Sequence, residues 1–282
     1  MAAVNAAFPD QLQCLPHESP TVLVVSNIRG NVETQTRGSA APVKVTAGGT
    51  WHTDIEYEPL PIYVSMFLVH KSPVSRDAPG GSWVENPSVA DAQAHPYLED
   101  SDDDLMRRRK CLPLNGETAF ADTAAAFAAL PPSEQASLER TRLRRRLNER
   151  DEGWLVPLVR TNPRSGIKSR HSPIWASRPR VRPAVEIDGM TLEASRAFLD
   201  PLESHVLQPQ FRYDHPHVPG DVTLWDNYMT LHNSPPIKSN ITSIDDARLL
   251  YRLSCKGEPS LTLPRNDPQE WLEAHILSLI HI

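Results

Sequence analysis

The sequence predicts a mainly β domain, in the form of an antiparallel barrel or jelly roll with α-helical insertions. Three observations lead to this fold class. Short β-branched or alternating apolar segments occur near both ends of the sequence, while helical patterns occupy the middle. Proline is abundant, at 27 residues, and glycine is scarce, at 12, in a chain of 282 residues. This composition favours short elements joined by stiff turns over long continuous helices.

The first part of the chain contains three predicted strands. Residues 21–26 (TVLVVS) form a β-branched run that is typical of a buried strand. Residues 51–57 (WHTDIEY) alternate in polarity, and residues 63–70 (YVSMFLVH) follow two turn-forming prolines. Residues 72–114 combine an acidic run, a basic run and five prolines. We expect this segment to be an inserted loop, solvated and partly mobile, because blocks of charge seldom pack.

Two helices are predicted in the middle of the chain. Residues 118–130 (TAFADTAAAFAAL) are rich in alanine, with Asp122 or Thr123 as a capping residue, and two prolines end the pattern. Residues 133–150 form the second pattern, and we interpret its basic stretch as a solvated face because no aromatic residues interleave it. The remaining predicted elements are strands at 155–160, 173–177, 211–213, 222–225 and 249–255 and an amphipathic helix at 191–206.

Charge and hydropathy restrict the partners of the protein. The 29 basic and 35 acidic side chains give a formal net charge of −6, which offers no electrostatic footprint for nucleic acid. No apolar run approaches the ~20 residues of a membrane helix, and the N-terminus lacks the pattern of a signal peptide. Three scattered cysteines are too few for a disulfide framework. We therefore expect a cytoplasmic protein with no nucleic-acid partner and no membrane partner.

His52 and Asp54 are the first candidate functional residues. Residues i and i+2 of a strand point to the same face, so an imidazole and a carboxylate would project side by side. Two histidines and one carboxylate form the facial triad that holds iron(II) and leaves positions open for substrate and oxygen. A His-x-Asp pair alone is a weak signal, since a hydrogen-bonded surface pair produces the same pattern.

Three further residues strengthen this signal. His232 follows a predicted turn and strand, and it is a candidate for the second histidine of the triad. Arg248 and Arg252 are four residues apart, which leaves both on the same side of an extended strand. Two guanidinium groups facing a metal would suit two carboxylate-bearing molecules, because arginine binds a carboxylate through a bidentate fork. His215 and His217 share an i, i+2 spacing in a proline-rich turn, and we interpret them as surface or packing residues.

With these residues in place, the chain resembles the TauD/TfdA (taurine/2,4-D dioxygenase) family of Fe(II)- and 2-oxoglutarate-dependent dioxygenases. The matching stretches, in order, are TVLVVSN, WHTDIEYEPLP, NGETAFADTAAAFAALP, PLVRTNPRSGIKS, LQPQFRYDHPHVPGDVTLWDNYMTLHN and ARLLYRLSCKGEP. They extend from residue 21 to residue 259. The resemblance implies a single domain over residues 1–282, built on a double-stranded β-helix, which is a cupin-like jelly roll.

The resemblance also implies the chemistry of the site. Thr118 and Arg248 would bind the far carboxylate of 2-oxoglutarate, and Arg252 would lie near the acidic group of the prime substrate. The implied reaction is hydroxylation of a small acidic organic substrate, a carboxylate or sulfonate, by O2 with release of succinate and CO2. The implied assembly is a homo-oligomer, a dimer or tetramer. Three residues would hold the catalytic Fe(II): His52, Asp54 and His232.

The chain departs from the family pattern in several places. The interval from His232 to Arg248 (248 − 232 = 16 residues) is longer than is typical, and Asn162 stands where many members have histidine. Only residues 1–20 precede the first predicted strand, so we expect the N-terminal part to be either incomplete or divergent from the family. The apolar tail at 274–282 fits no upstream pattern, and we expect it to be foreign to the domain.

Two alternative functions stay open. A catalytically impaired or truncated relative of the family would share the resemblance, although the intact triad argues against decay. More remotely, a zinc hydrolase could use His52, Asp54 and His232 with a bound water. Thr118 and the paired arginines would then have no purpose, so the dioxygenase is the stronger interpretation.

Overall fold

The structure is a computed structural model that describes the greater part of the chain. The described residues are 19, 22–27, 44–45, 48–58, 61–77, 82–86, 97–98, 103–146, 148, 150, 152–176, 183–239, 241 and 243–256. The predictions for the N-terminal region before residue 19 and for the tail at 274–282 fall outside these residues.

The described part of the chain is rich in short strands. They are β1 (Leu23–Ser26), β2 (Lys44–Val45), β3 (Val64–Lys71), β4 (Thr118–Asp122), β5 (Arg142–Arg145), β6 (Trp154–Pro157), β7 (Val159–Thr161), β8 (Lys168–Arg170), β9 (Glu186–Ile187), β10 (Arg212–His215), β11 (Val222–Asp226), β12 (Thr230–Asn233), β13 (Lys238–Ser239) and β14 (Leu249–Cys255). The predicted strands at 21–26, 63–70, 222–225 and 249–255 are confirmed to within two residues at each end.

Helices occupy the middle of the described chain. They are α1 (Asp104–Lys110), α2 (Thr123–Ala128), α3 (Pro132–Arg140) and α4 (Leu192–Val206). The predicted helix at 191–206 is confirmed as α4, and the Thr191 side chain accepts a hydrogen bond from the backbone of Ala194 at its start. Short 3-10 turns lie at Ser75–Asp77, Pro209–Phe211 and Ile244–Asp246. Among the described residues, none of the helices has the length and apolar character needed to span a bilayer.

Two antiparallel sheets form the two layers of the jelly roll. The first has the strand order β1-β14-β3-β11 and the second has the order β10-β4-β12. A single β-bridge between His52 and His232 extends the second sheet beyond β12. A buried apolar cluster lies between the layers because both sheets contribute to it: Phe67, Val69, Phe120, Trp225 and Leu250. This arrangement confirms the predicted mainly β, cupin-like fold.

Strand β4 is buried on both of its faces. Phe120 points into the jelly roll, whereas Ala119 and Ala121 join a larger cluster with Met106 of α1 and Val206 of α4. The small alanine side chains let the helices approach the outer face of the sheet. Side chains of β4 can therefore reach the interior of the jelly roll while its other face carries the helices.

The predicted helix at 118–130 is wrong over its first five residues, which form β4 instead. The alanine-rich pattern does not alternate in polarity because the strand is buried on both faces, and such a strand cannot be told from a helix by periodicity. The Asp122 carboxylate ends the strand and caps α2, since its Oδ1 accepts from the backbone of Ala125 at 2.8 Å.

The predicted helix at 133–150 is also too long. Helix α3 ends at Arg140, and the basic stretch continues as β5, where Leu143 and Arg145 are buried. The basic stretch is therefore not a solvated helix face. The predicted strand at 173–177 is absent from the described residues there, and β8 at Lys168–Arg170 pairs with β7 instead.

Two further predictions need correction. Residues 51–57 do not form a continuous strand, because only His52 makes a bridge and residues 54–57 form a turn. The segment 72–114, expected to be a solvated loop, contains helix α1 and several buried residues in its described part. Trp83, Tyr97 and Met106 are among these buried side chains. Their apolar surface outweighs the charge blocks around them.

A buried ion pair fixes α1 against α4. Arg109 donates to Glu203 through Nε at 2.8 Å and Nη2 at 2.6 Å, and the Tyr97 hydroxyl donates to the same carboxylate. The Arg109 guanidinium also lies 4.1 Å from the centre of the Tyr97 ring. Asp200 also lies 3.6 Å from Nη2 of Arg109, so the buried guanidinium is fully paired with carboxylates and the group is structural.

Replacing Glu203 with glutamine is expected to lower the free energy of unfolding by about 3 kcal/mol, because the buried Arg109 loses its bidentate carboxylate and keeps only Asp200, 3.6 Å from its Nη2. Urea denaturation measures this loss. The exposed Glu193 at the start of the same helix provides a control, and Glu193→Gln should cost less than about 1 kcal/mol. Equal losses in the two variants would contradict a structural ion pair.

Candidate metal centre and active site

The structure brings His52, Asp54 and His232 together. The Oδ1 atom of Asp54 lies 4.0 Å from Nε2 of His52 and 3.6 Å from Nε2 of His232. One ligand atom from each residue lies within 4.8 Å of the other two. Within the part of the chain that the structure describes, this is the one group of three or more such side chains placed to hold a metal ion.

Backbone pairing positions the two histidines. His52 donates its N–H to the carbonyl of His232 at 3.1 Å, and His232 donates back to the carbonyl of His52 at 2.9 Å. The chain then turns at Ile55, whose φ of 53° lies in the left-handed region. A β-branched residue adopts this conformation at a cost of about 1–3 kcal/mol. The turn, rather than a regular strand, therefore places Asp54 beside His52.

A backbone contact fixes the tautomer of His52. Nδ1 lies 2.8 Å from the carbonyl oxygen of Thr50, and a carbonyl oxygen can only accept a hydrogen bond. Nδ1 therefore carries the hydrogen, and Nε2 presents its lone pair on the side of Asp54. Metal-binding histidines are oriented in this way, with the other ring nitrogen bonded to a backbone or carboxylate oxygen.

The carboxylate of Asp54 is fully buried, and a hydrogen bond fixes its Oδ2 atom. The Ser65 hydroxyl donates to Oδ2 at 2.6 Å, and Asn227 Nδ2 donates to the Ser65 hydroxyl at 2.9 Å. Asn227 Oδ1 also accepts the backbone N–H of Asp54 at 3.4 Å. These bonds occupy Oδ2 and leave Oδ1 facing the histidines.

Neighbouring charges keep Asp54 ionised. Burial alone would raise the pKa of Asp54, but Arg252, His232 and His52, together with the Ser65 hydrogen bond, lower it well below its usual range. The Arg252 Nη1 atom lies 3.1 Å from Oδ1 and makes the largest of these contributions. A metal ligand must be deprotonated, and this carboxylate meets that requirement at neutral pH.

The donor set fits a divalent transition metal. Two imidazole nitrogens and one carboxylate oxygen form the facial set that non-haem iron(II) sites use, and zinc accepts the same donors. The fixed tautomer of His52 and the ionised carboxylate of Asp54 match this requirement. The donor set alone does not separate iron from zinc, so the neighbouring groups decide between the two chemistries.

A second polar group surrounds Thr118 and Arg248. Thr118 lies on β4, and Phe120 of the same strand pairs with His232 in the sheet. The backbone of Thr118 is two residues, or about 7 Å along the strand, from that of Phe120. Arg248 Nε donates to the carbonyl of Gly116 at 2.9 Å, and Nη2 lies 3.3 Å from the Thr118 hydroxyl. Burial lowers the pKa of Arg248 to about 10, so the guanidinium is still charged at neutral pH.

Arg248 differs in its partners from Arg109, which is paired with the carboxylate of Glu203. Its hydrogen-bond partners are a hydroxyl and two backbone carbonyls, and no described carboxylate forms an ion pair with it. Its backbone N–H donates to Asn27 Oδ1 at 2.7 Å, and Asn27 Nδ2 donates to the carbonyls of Lys238 and Asp246. Arg248 is therefore held firmly while its positive charge stays available for an anion.

His217 belongs to the same group, a contact that the sequence analysis missed. Its Nε2 lies 2.7 Å from the Thr118 hydroxyl, and the side chain is buried. Burial, together with Arg248 and His215, lowers the pKa of His217 to about 3, so the ring is neutral. His215 contacts Thr223 at 3.1 Å, and neither histidine joins the triad. The link between His217 and Thr118 depends on the pairing of β10 with β4.

Arg252 and Asn162 take different positions around the site. The Arg252 side chain is 21% exposed and reaches Asp54, so the structure brings it to the triad. Asn162 Nδ2 donates to Asp226 at 2.5 Å, and Asn162 Oδ1 accepts from the backbone of Arg164 and Ser165. Asn162 therefore shapes the turn between β7 and β8 and lies outside the metal ligands.

Comparisons with known proteins show what this chain is similar to. The model of the family "Taurine catabolism dioxygenase TauD, TfdA family" matches residues 104–253. The chain is 31% identical to pentalenolactone F synthase from Streptomyces arenae over 137 residues, which cover 42% of this chain and 46% of that protein. It is 32% identical to the alpha-ketoglutarate-dependent 2,4-dichlorophenoxyacetate dioxygenase from Cupriavidus pinatubonensis over 138 residues, covering 43% and 45%.

A solved structure supports the fold. The crystal structure of a taurine dioxygenase from Burkholderia xenovorans superposes with a TM-score of 0.51 at 20% identity, covering 86% of this chain and 66% of that chain. The matches to the two relatives above span about half of their lengths. The architecture is thus shared, and the matched region includes the second histidine and both arginines of the site.

Removing the hydroxyl of Ser65 is expected to weaken metal binding about 10-fold, because Asp54 loses the bond that holds Oδ2. Anaerobic equilibrium dialysis of Ser65→Ala with Fe(II) measures the dissociation constant. Ser254→Ala is the matched control, since that hydroxyl lies 3.5 Å from the Ser65 hydroxyl and forms no hydrogen bond with the triad among the described residues. An unchanged constant in Ser65→Ala would contradict a supporting function for this hydroxyl.

Proposed function

The chain belongs to the taurine catabolism dioxygenase TauD, TfdA family, and from this membership we propose that it is an Fe(II)- and 2-oxoglutarate-dependent dioxygenase. One observation carries the proposal: a His-Asp-His triad shares the jelly roll with a buried guanidinium whose described partners are neutral oxygens. A zinc hydrolase would need only the triad. The name of the relative from Cupriavidus pinatubonensis, an alpha-ketoglutarate-dependent dioxygenase, further supports the choice.

The triad would hold the iron. His52 offers Nε2 because its Nδ1 is bonded to Thr50, and Asp54 offers Oδ1 because Ser65 occupies Oδ2. When bound, Fe(II) with 2-oxoglutarate and O2 supplies the oxidising chemistry that hydroxylates a C–H bond and releases succinate and CO2. The apolar side chains between the sheets exclude water from this chemistry.

Arg248 and Thr118 would bind the far carboxylate of 2-oxoglutarate. The guanidinium supplies the matching charge, and the hydroxyl supplies a second donor. Neutral His217 completes the group, since a hydrogen on its Nε2 would be donated to the Thr118 oxygen. Thr118 then keeps its own hydroxyl hydrogen for the carboxylate. The bound anion would give the buried guanidinium of Arg248 a direct ion pair, which no described carboxylate provides.

Arg252 would recognise the prime substrate. Its guanidinium contacts Oδ1 of Asp54, the same atom that the metal would use. Metal binding would therefore weaken the ion pair between Arg252 and Asp54 and leave the guanidinium able to bind an anion. A partly exposed cation beside the metal suits a small organic acid, a carboxylate or a sulfonate. The relative named for 2,4-dichlorophenoxyacetate supports an acid as substrate. The homo-oligomer and the cytoplasmic location stay predictions.

Consumption of 2-oxoglutarate with formation of succinate under added Fe(II) tests the proposed reaction. The chain should release succinate when it is offered a panel of organic carboxylates and sulfonates. His52→Ala should reduce both bound iron and succinate release at least about 100-fold, because one of three ligands is lost. His215→Ala is the control and should retain both. Iron-loaded protein that consumes no 2-oxoglutarate with any of these acids would overturn the proposal.

Substitutions of Arg248 and Arg252 should raise the KM of different substrates. Arg248→Met is expected to raise the KM for 2-oxoglutarate about 100-fold, since a buried charged contact is removed, while iron binding is retained. Arg252→Met should leave that KM within about 3-fold and raise the KM for the acidic substrate. Steady-state kinetics of succinate release measure both constants. An increase in the 2-oxoglutarate KM caused by Arg252→Met alone would exchange the two assignments.

A further inference from the structure

A second group of buried cations lies apart from the triad. It consists of Arg145 at the end of β5, Arg160 on β7 and His171 just after β8, and we refer to it as the cationic cluster. Their exposed fractions are 2%, 2% and 1%. Side chains of this kind are seldom so deeply buried unless each has a partner.

Strand register places these side chains together. Arg160 pairs with Ser169 across the β7–β8 hairpin, and the N–H of His171 donates to the carbonyl of Leu158 at 2.8 Å. The side chains of Arg160, Ser169 and His171 therefore share one face of the hairpin. Arg145 reaches the same place, since its Nη2 donates to the carbonyl of Ser172 at 2.7 Å and lies 3.4 Å from that of His171.

The charges in this region do not balance. One carboxylate, Glu56, lies 3.8 Å from Nη1 of Arg145, and it also accepts from the backbone of Thr53 and from the Ser172 hydroxyl. In contrast, Nε, Nη1 and Nη2 of Arg160 are all buried without a hydrogen-bond partner among the described residues. The same holds for both ring nitrogens of His171. Glu56 thus balances the charge of Arg145, and no described carboxylate forms an ion pair with Arg160.

The protonation states leave several donors directed into this region. Burial and the nearby Arg145 lower the pKa of Arg160 to about 10, against a raising effect of Tyr228, so its guanidinium is charged at neutral pH. Burial, Arg160 and Arg145 keep the pKa of His171 well below its usual range, so its ring is neutral and carries one N–H. A buried guanidinium without an acceptor is strongly destabilising, whereas an anion would supply both the acceptor and the missing charge.

We infer that the cationic cluster is a binding site for a small monovalent anion, held by the guanidinium of Arg160 and the ring N–H of His171. The chemical class is a halide or a carboxylate of one or two carbons, since one unit of positive charge is unmatched. The site is distinct from the proposed iron and 2-oxoglutarate sites. Glu56 links the two regions, since it follows Asp54 by two residues and accepts a hydrogen bond from the backbone of Thr53.

Thermal unfolding of the purified chain tests this inference. At constant ionic strength, exchange of a bulky buffer anion such as MES for chloride, formate or acetate should raise the Tm. The expected rise is about 5 °C at a concentration 100-fold above the dissociation constant. The three anions in separate titrations distinguish a halide site from a carboxylate site. A Tm that is the same in MES and in all three small anions would overturn the inference.

Variants test whether the rise in Tm with small anions arises at the cationic cluster. Arg160→Met should abolish the dependence on small anions, because the charge that holds the anion is lost. Arg142→Met on the same strand as Arg145 is the control, since Arg142 is exposed, and it should keep the full dependence. A dependence that persists in folded Arg160→Met would overturn the inference. If Arg160→Met does not fold, crystals of the unmodified chain grown in bromide and in acetate decide: an anomalous bromide peak or acetate density beside Arg160 supports the site, and the absence of both overturns it.

Discussion

The buried carboxylate of Asp54 determines much of the arrangement around it. A charged group without water must be matched by partners, and Asp54 obtains them from four separate parts of the chain. Ser65 comes from β3, Asn227 from the loop after β11, His232 from β12 and Arg252 from β14. Because these elements belong to both layers of the jelly roll, the partners of Asp54 come together only when the two layers pack against each other.

Four of the five arginines that are buried in the described part of the chain differ in how well their charge is matched. Arg109 is paired with Glu203, which suits a structural contact between two helices. Arg145 has Glu56 at 3.8 Å, Arg248 has neutral oxygens, and Arg160 has no described acceptor. Burial costs each of them hydration, so the unmatched ones are the positions where a ligand gains most by binding. The degree to which the charge of each arginine is matched thus separates residues that support the fold from residues suited to bind anions.

The sequence predicted which candidate ligands lie together better than it predicted the elements that carry them. His52 and Asp54 could be proposed from residue type and spacing, the family resemblance implied His232 as the third ligand, and the structure brings the three side chains together. Strand β4 could not be predicted, because its alanines are buried on both faces and show no alternation. The contact between His217 and Thr118, and the cluster around Arg160, depend on strand register between distant segments. Register is set by tertiary packing, which a single sequence does not display.

The hairpin of β7 and β8 connects the cationic cluster to the proposed iron site. One of its residues, Ser169, donates to the carbonyl of Tyr228, and Asn162 donates to Asp226 in the same loop. The residue between them, Asn227, supports Ser65 and the backbone of Asp54. An asparagine suits the hairpin position because one side chain both closes the turn and donates to Asp226. The orientation of the buried carboxylate therefore depends on a hairpin that contributes no residue to the triad.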